Sequence, residues 1–410
     1  MTTTINNKNK KTNVPNKREQ NQTCLDSAER EGLRPKGNVP NLRFPEFQGE
    51  WEKKRLEECV EFLDGLRKPI KSEDRKSEQG LYPYYGASGI IDYIDGYIFD
   101  GEYILLSEDG ANIIDRNYRV SFIAKGKIWV NNHAHVLQPY DGFDINFLSE
   151  TLERLNYAVY NTGTTMPKLN QEVCRNINLK IPTTKEQNKI GNLLSLLNER
   201  IATQNKIIED LKKLKSAIIE IEYTPNTKTT SHIGNVIEQI SKRNKNNAIQ
   251  NVLSVSNRQG FIKQSDQFEN RNVASEDTSN YKIVEKNDFA FNPARINVGS
   301  IARLTTFENG IVSPMYICFR TQENVAPEYI DFFFESKHFY CEIQKRLEGS
   351  VRQCLSFEGL CNIPFSLPSL EMQQRIGKRL FTLGQKIKTE TDLLELLNKQ
   401  KQYLLRQMFI

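Results

Sequence analysis

The chain has 410 residues, of which 38% are hydrophobic, 26% charged and 10% aromatic, a length for two or three domains and an aromatic content too high for a disordered polymer. Its seven cysteines are an odd number without any CxxC pair, which argues against a disulfide framework and a structural zinc site. No apolar run approaches the roughly 18 residues of a membrane helix and the N-terminus lacks a signal-peptide core, so a soluble, cytoplasmic protein is expected.

The net charge of +5 is unevenly placed. Residues 1–38 carry +4, residues 40–182 carry −5, residues 183–231 carry +2, residues 232–367 are neutral and residues 368–410 carry +4. Bulk charge therefore supplies no nucleic-acid face on the globular parts; such a face must be a local patch.

Residues 1–38, rich in Asn, Lys, Thr and Gln, read as a disordered polar tail. Ordered structure is expected from Val39, where Phe44, Phe47 and Trp51 arrive among prolines and glycines. Tyr97–Leu106 and Lys127–Val136 read as strands in a first domain, 39–182, with a helix near 146–159 before a turn at Gly163. A second domain, 232–367, shows strands at Phe289–Asn292 and Val312–Phe319, helix over 327–346 and a turn at Gly349.

An internal repeat organises the whole. A shift of 186 positions lays Pro182 on Pro368, Gln187 on Gln373, Ile190 on Ile376, Gly191 on Gly377, Leu194 on Leu380, Ile201 on Ile387 and Lys215 on Lys401. The match extends back through Asn176/Asn362, Leu169/Leu355 and Gly163/Gly349. The repeated segments, within 183–231 and 368–410, predict long helices with heptad seams. One seam runs through Ile190, Leu194, Leu197, Ile201, Ile208, Leu211 and Ile218; the other through Ile376, Leu380, Leu383, Ile387, Leu394, Leu397, Leu404 and Met408.

Each seam is interrupted twice, by Gln204 and Lys215 and by Glu390 and Lys401. An antiparallel register that pairs Lys215 with Glu390 and Gln204 with Lys401 gives every polar group a partner, and this register is expected.

Catalytic chemistry is not legible. Asn292-Pro293-Ala294-Arg295 lacks the stacking aromatic of a methyltransferase motif and follows no glycine loop. Asp331 with Glu335-Ser336-Lys337 has helix-surface spacing rather than that of a nuclease, and no phosphate-binding Gly-x4-Gly-Lys loop exists. His133 and His135, two apart in WVNNHAHVL, would share a strand face. With only two other histidines in the chain, a structural or base-contacting role is favoured over a metal site.

At the repeated helices the chain resembles the specificity subunit of type I restriction-modification enzymes. The doubled signature is IPTTKEQNKIG at 181–191 and LPSLEMQQRIG at 367–377, with Thr184 where that family usually has leucine and Met372 where it has glutamate. The opening NVPNLRFPEFQGEWE and the segment YPYYGASGIIDYIDGYIF are also similar to that family. The resemblance implies an α+β fold: two mixed α/β target recognition domains separated by two long antiparallel coiled-coil helices, with a pseudo-twofold internal repeat. It implies a non-catalytic subunit that reads a bipartite site on double-stranded DNA and docks modification (methyltransferase) subunits and restriction subunits. Those partners, not this chain, would use S-adenosylmethionine, ATP and Mg. A stand-alone duplicated DNA-binding or coiled-coil interaction protein is the rival reading, and the −5 and 0 of the two domains count against it.

Base reading requires polar side chains on loops that enter a groove. The expected DNA-binding residues are Tyr84, Tyr85, Ser88, Asn131, Asn132, His133, Thr164, Thr165 and Lys168 in the first domain. In the second they are Arg258, Lys263, Arg295, Asn297, Ser350 and Arg352, whereas Lys242, Arg243 and Lys245 read as a solvated face.

Overall fold

The computed structural model describes residues 37–75, 80–224, 230–257, 259–267, 277–349 and 353–410. The polar tail, except for its last two residues, lies outside them, as do Arg258, Ser350 and Arg352. The chain divides into two compact units whose boundaries fall inside the long helices: residues up to 202 together with 395–410, and residues 203–394. No helix among the described residues is long and apolar enough to cross a membrane.

The first unit contains, in chain order, β1 (Glu52–Arg55), β2 (Val60–Phe62), β3 (Tyr82–Gly86), β4 (Gly89–Ile94), β5 (Phe99–Ser107), β6 (Ser121–Val130), β7 (Ala134–Pro139) and β8 (Asn178–Ile181). Six of these form one sheet in the order β2-β7-β5-β6-β3-β4, parallel only between β3 and β6, while β1 pairs with β8. The strand expected over 127–136 is two strands: the Asn131 side chain accepts the His133 amide at 2.8 Å and turns the chain between them. A helix, Ile145–Arg154, is capped by Asp144, whose carboxylate accepts the Phe147 amide at 2.7 Å. It ends short of the expected 159, at Leu155, and a separate turn follows over Tyr157–Tyr160.

The second unit holds β9 (Thr230–His232), β10 (Ile237–Ile240), β11 (Val252–Ser256), β12 (Gly260–Lys263), β13 (Lys282–Glu285), β14 (Phe289–Phe291), β15 (Ile301–Arg303), β16 (Asn309–Val312), β17 (Ile317–Thr321) and β18 (Pro364–Ser366). They form two four-stranded sheets, β10-β17-β14-β15 and β12-β11-β16-β13, and a β18-β9 pair that matches β8-β1 of the first unit. The run 312–319 breaks at Ser313–Tyr316, where Pro314 cannot donate to a ladder and the Tyr316 amide turns back onto Ser313 at 3.1 Å. Helix 327–346 likewise divides into Pro327–Phe333 and Lys337–Gln344, the latter capped by Ser336.

The long helices span Thr184–Tyr223, 40 residues, and Leu370–Gln407, 38 residues. Their seam positions are buried or half-buried. In the first unit, Ile190 and Leu194 at the start of one helix share a core with Met408 and Phe409 just past the end of the other. In the second unit Ile218 and Tyr223 share a core with Ile376 and Leu380. Each domain is thus packed on the beginning of one helix and the end of the other, so the two helices run antiparallel.

Their register differs from the expected one. Gln204 donates to the Glu390 carboxylate at 2.5 Å and to its backbone carbonyl at 3.0 Å. Lys215 instead pairs with Glu335 of the second domain at 2.6 Å, and lies 5.1 Å from the Phe332 ring centre. Lys401 reaches Glu150 of the first domain at 3.4 Å. The expected register sought partners for both lysines on the opposite helix. A lysine stem is long enough to carry its charge off the seam to a carboxylate on the adjoining domain, which leaves the register to the shorter Gln204 and Glu390.

The doubled signature is a clamp between helix and domain. The side-chain amide of Gln187 donates to the Pro182 carbonyl at 2.9 Å while its oxygen accepts the Asp144 amide at 3.1 Å. Gln373 does the same with the Pro368 carbonyl at 2.9 Å and the Ala326 amide at 3.0 Å. One turn on, Gly191 and Gly377 admit the domain helix: a Cβ there would lie 2.0 Å from an Asp144 oxygen or 2.9 Å from the Glu328 Cβ.

Candidate nucleic-acid interface

In the first domain the loops at one edge of the six-stranded sheet are stitched together by backbone bonds. Ser107, at the end of β5, donates its hydroxyl to the Ala87 carbonyl at 2.5 Å and so holds the β3–β4 turn that carries Ser88. The Asn131 amide donates to Tyr85 at 3.0 Å. Residues 108–110 run between two further segments. The Glu108 amide donates to His133 at 2.9 Å, the Leu169 amide to Glu108 at 2.7 Å, and the Gly110 amide to Pro167 at 3.0 Å.

The glycine turn is built from its own side chains. Asn161 accepts the amides of Gly163 at 3.0 Å and Lys168 at 2.9 Å, and the Thr162 amide donates to the Lys168 carbonyl at 2.8 Å. A Cβ on Gly163 would lie 1.8 Å from the Met166 carbonyl oxygen, so the tight return needs glycine. Thr164, Thr165 and Met166 are left exposed at the tip.

Ser88, Asn132, His133, Thr164, Thr165 and Lys168 are accordingly exposed on this linked set of loops. His133 is held by Asp109 at 2.8 Å, and Lys168 lies 3.4 Å from Glu108. Tyr84 is a correction: it is 2% exposed, a core residue whose hydroxyl accepts the Ile70 amide at 3.0 Å. Tyr85 is half-buried against Phe122, and Asn131 is a buried turn-former. His133 and His135 do not share a face, because the break at 131–133 puts His133 in the turn and His135 inside β7.

Beneath these loops lies a buried ionic knot that sequence reading missed. His135 sits 2.6 Å from Asp64 through Nδ1 and 2.9 Å from the Leu169 carbonyl through Nε2. Gln171 donates to Asp64 at 2.9 Å, and Arg67 donates to Glu108 at 2.7 Å and to the Ala134 carbonyl at 2.7 Å. Burial alone would lower the His135 pKa, but hydrogen bonds to Asp64 and to the Cys174 sulfur reverse this and lift it to about 10. Burial raises the Asp64 carboxyl and His135 overrides it, so Asp64 stays below its usual value. Asp64, Glu108 and His135 place ligand-type atoms within 4.8 Å of one another. Those atoms are already engaged, by the imidazole itself and by the Arg67 guanidinium, so the donor set fits an ion-pair knot rather than a metal. The pair Glu108-Asp109 after the apolar run Tyr103–Leu106 was the available signal, and it offered a partner for His133 through Asp109 but not the Asp64 that holds His135.

The second domain repeats the frame with other loops. Leu355, the match of Leu169, donates its amide to the Pro293 carbonyl at 3.1 Å, just as Leu169 donates to Glu108. Glu348 and Cys354 exchange paired backbone bonds at 2.8 and 2.9 Å, next to Leu355 and so beside loop 292–299; residues 350–352 between them lie outside the described residues. In that loop Asn292 accepts the Ala294 amide at 3.1 Å, Arg295 is exposed and Asn297 half-buried. Lys263 is exposed but stands at the far end of β12 from Gly260, the end that adjoins this loop, so it is not brought together with Arg295.

The duplicated frame, with unlike polar loops in each half, defines a two-domain repeat protein. The family model described as the type I restriction modification DNA specificity domain matches this chain twice, at residues 48–213 and 218–399. The chain belongs to that family. It is 24% identical over 405 residues to the type I restriction enzyme MjaVIII specificity subunit of Methanocaldococcus jannaschii, covering 88% of this chain and 90% of that one. It is 36% identical over 148 residues to a Haemophilus influenzae protein designated a type I restriction enzyme specificity subunit. That match spans 36% of this chain and only 37% of the relative. Among solved structures, the type I restriction-modification S subunit from M. genitalium superposes with a TM-score of 0.64 at 16% identity, over 91% of this chain and 99% of that chain, a likeness of fold.

Proposed function

We propose that the chain is the non-catalytic DNA-specificity subunit of a cytoplasmic type I restriction-modification complex, and that it reads a bipartite target on double-stranded DNA. Residues 39–182 read one half-site and residues 232–367 the other. The long helices dock two modification subunits that methylate adenine N6, with restriction subunits added to them. S-adenosylmethionine, ATP and Mg belong to those partners. The observation that carries this reading is the repeated frame itself. Leu169 and Leu355 each donate to a loop after a core strand, at Glu108 in one half and at Pro293 in the other, and the residues of the two loops differ. Thr, Asn, His, Lys and Arg at such positions are the groups that contact base edges and phosphates.

Genome-wide mapping of methylated adenine in the host, with and without the gene, tests the reading. One split motif that vanishes on deletion is the expected result. Exchange of residues 232–367 with those of another such subunit should then alter one half of the motif only; alteration of both halves, or of neither, overturns independent reading.

A further inference from the structure

We infer that His135, with Asp64, is a positioning residue for half-site reading by the first domain: it fixes the glycine turn from beneath without meeting DNA. The inference rests on the proposal that this edge of the domain contacts DNA.

His135 is 1% exposed and both its ring nitrogens face acceptors, a carboxylate on one side and a backbone carbonyl on the other. Two acceptors require two N–H donors, so the geometry calls for the doubly protonated imidazolium. The carbonyl belongs to Leu169, directly after the turn whose tip is Thr164, Thr165 and Met166. Asp64 in turn accepts from Gln171 at 2.9 Å and from the Val136 amide at 2.9 Å. One carboxylate–imidazolium pair thereby ties β7 to both ends of residues 169–171. Arg67 and Glu108 complete the knot: Glu108 offers its carboxylate to Arg67 and to Lys168, and its backbone carbonyl to the Leu169 amide.

The turn is anchored through residues 167–169. Its own bonds, through Asn161 and Thr162, shape the loop but do not anchor it to the sheet. The anchors are the Gly110 amide on the Pro167 carbonyl, the Leu169 amide on the Glu108 carbonyl, the Leu169 side chain in the core, and the knot, which takes the Leu169 carbonyl. A glutamine at 135 keeps hydrogen-bonding capacity but not the charge or the two-sided reach of the ring, so the turn should be free to shift relative to Ser88, Asn132 and His133. Base contacts tolerate little such displacement, since a hydrogen bond weakens steeply with distance and angle.

The test uses the chain assembled with its modification subunits and reads the methylated-adenine motif separately at each half-site, the halves being assigned by the 232–367 exchange. His135→Gln and the milder Asp64→Asn are expected to assemble and methylate. Each should relax the half-site read by the first domain by about tenfold or more at one position, with the other half unchanged. An unchanged motif in both variants overturns the inference. Equal loss at both half-sites, or failure of both variants to assemble, overturns it too, since that marks a merely structural role. A Thr165→Ala/Lys168→Ala variant separates the two layers of argument. If it leaves the motif intact, the proposed reading edge is wrong; if it alters the motif while the His135 and Asp64 variants do not, only the positioning role is wrong.

Discussion

Glu186, wholly buried at the start of the first long helix, grips Arg43 through both carboxylate oxygens, at 2.7 and 2.8 Å. Trp51 adds an indole N–H at 3.3 Å to the same carboxylate. The opening segment of the chain is thereby pinned to the helix, and the Leu42 amide reaches the Gln407 carbonyl at 2.8 Å alongside it. The 186-residue shift puts Met372 at the equivalent place in the second copy, where it is 42% exposed. The same shift lays residues 223–237 on 37–51, and they contain no arginine, so the second copy lacks the partner that Glu186 has.

Glu186→Met should therefore be costly where Met372 is harmless. Removing one partner of a buried ion pair strands the other, a loss of about 3–5 kcal/mol. Arg43→Ala combined with Glu186→Met should recover part of it. A double-mutant cycle by urea unfolding measures this, and additive losses would show the pair to be uncoupled.

Gly191→Ala and Gly377→Ala should differ. Alanine gains about 1 kcal/mol of helix propensity at either site. At 191 the new methyl displaces Asp144 from its cap and strains the clamp, costing about 2–4 kcal/mol together, so the net change is destabilising. At 377 the nearest atom is the Cβ of Glu328, 2.9 Å away, which is fixed to the backbone of helix Pro327–Phe333. Helix and domain must part there, so the change is destabilising too, though it costs no helix cap. Thermal unfolding of the two variants compares them directly.

The knot at His135 makes stability depend on pH. Its pKa is raised from 6.5 to about 10, so its contribution is complete below about 6.5 and is lost as pH rises toward 10. On the acid side the lowered Asp64 carboxyl keeps the pair intact until pH falls through its depressed value. The melting temperature should decline between pH 7 and 10 more steeply in the native protein than in His135→Gln; parallel declines would remove His135 as the cause.

Deletion of four residues from 203–215 shortens the helix by about 6 Å, close to one turn, which nearly restores the seam. The proposed function predicts a spacer shorter by one or two base pairs, or loss of methylation through misaligned seams. A methylation motif with the original spacer would exclude a ruler role for the helices.

The repeat, the seams and the helix starts were legible because period and identity are local properties: Pro182/Pro368, Gln187/Gln373 and Gly191/Gly377 announce the clamp before any contact is known. The partners of those residues were not, since Asp144 and Ala326 lie about 45 residues upstream and share no residue type. Tyr84 and Tyr85 read alike, and only the pleat and the Ile70 loop decide that one is core. The register failed for a similar reason. Heptad pairing considers two helices, whereas Lys215 and Lys401 answer to Glu335 and Glu150, carried by the domains. His135 was legible as a structural histidine, but its carboxylate is Asp64, 71 positions away.

The meeting of Gln204 with Glu390 has a consequence for ancestry. A residue on a twofold axis faces its own counterpart, and here the 186-residue shift makes the two partners counterparts. A half-length chain that assembled as a homodimer would set this position against itself. Two glutamates there would repel, whereas two glutamines could bond, so glutamine is the residue compatible with an unfused state. A single polypeptide that carries both copies is free of that constraint, and its seam holds an unlike, hydrogen-bonded pair that no symmetric dimer can contain.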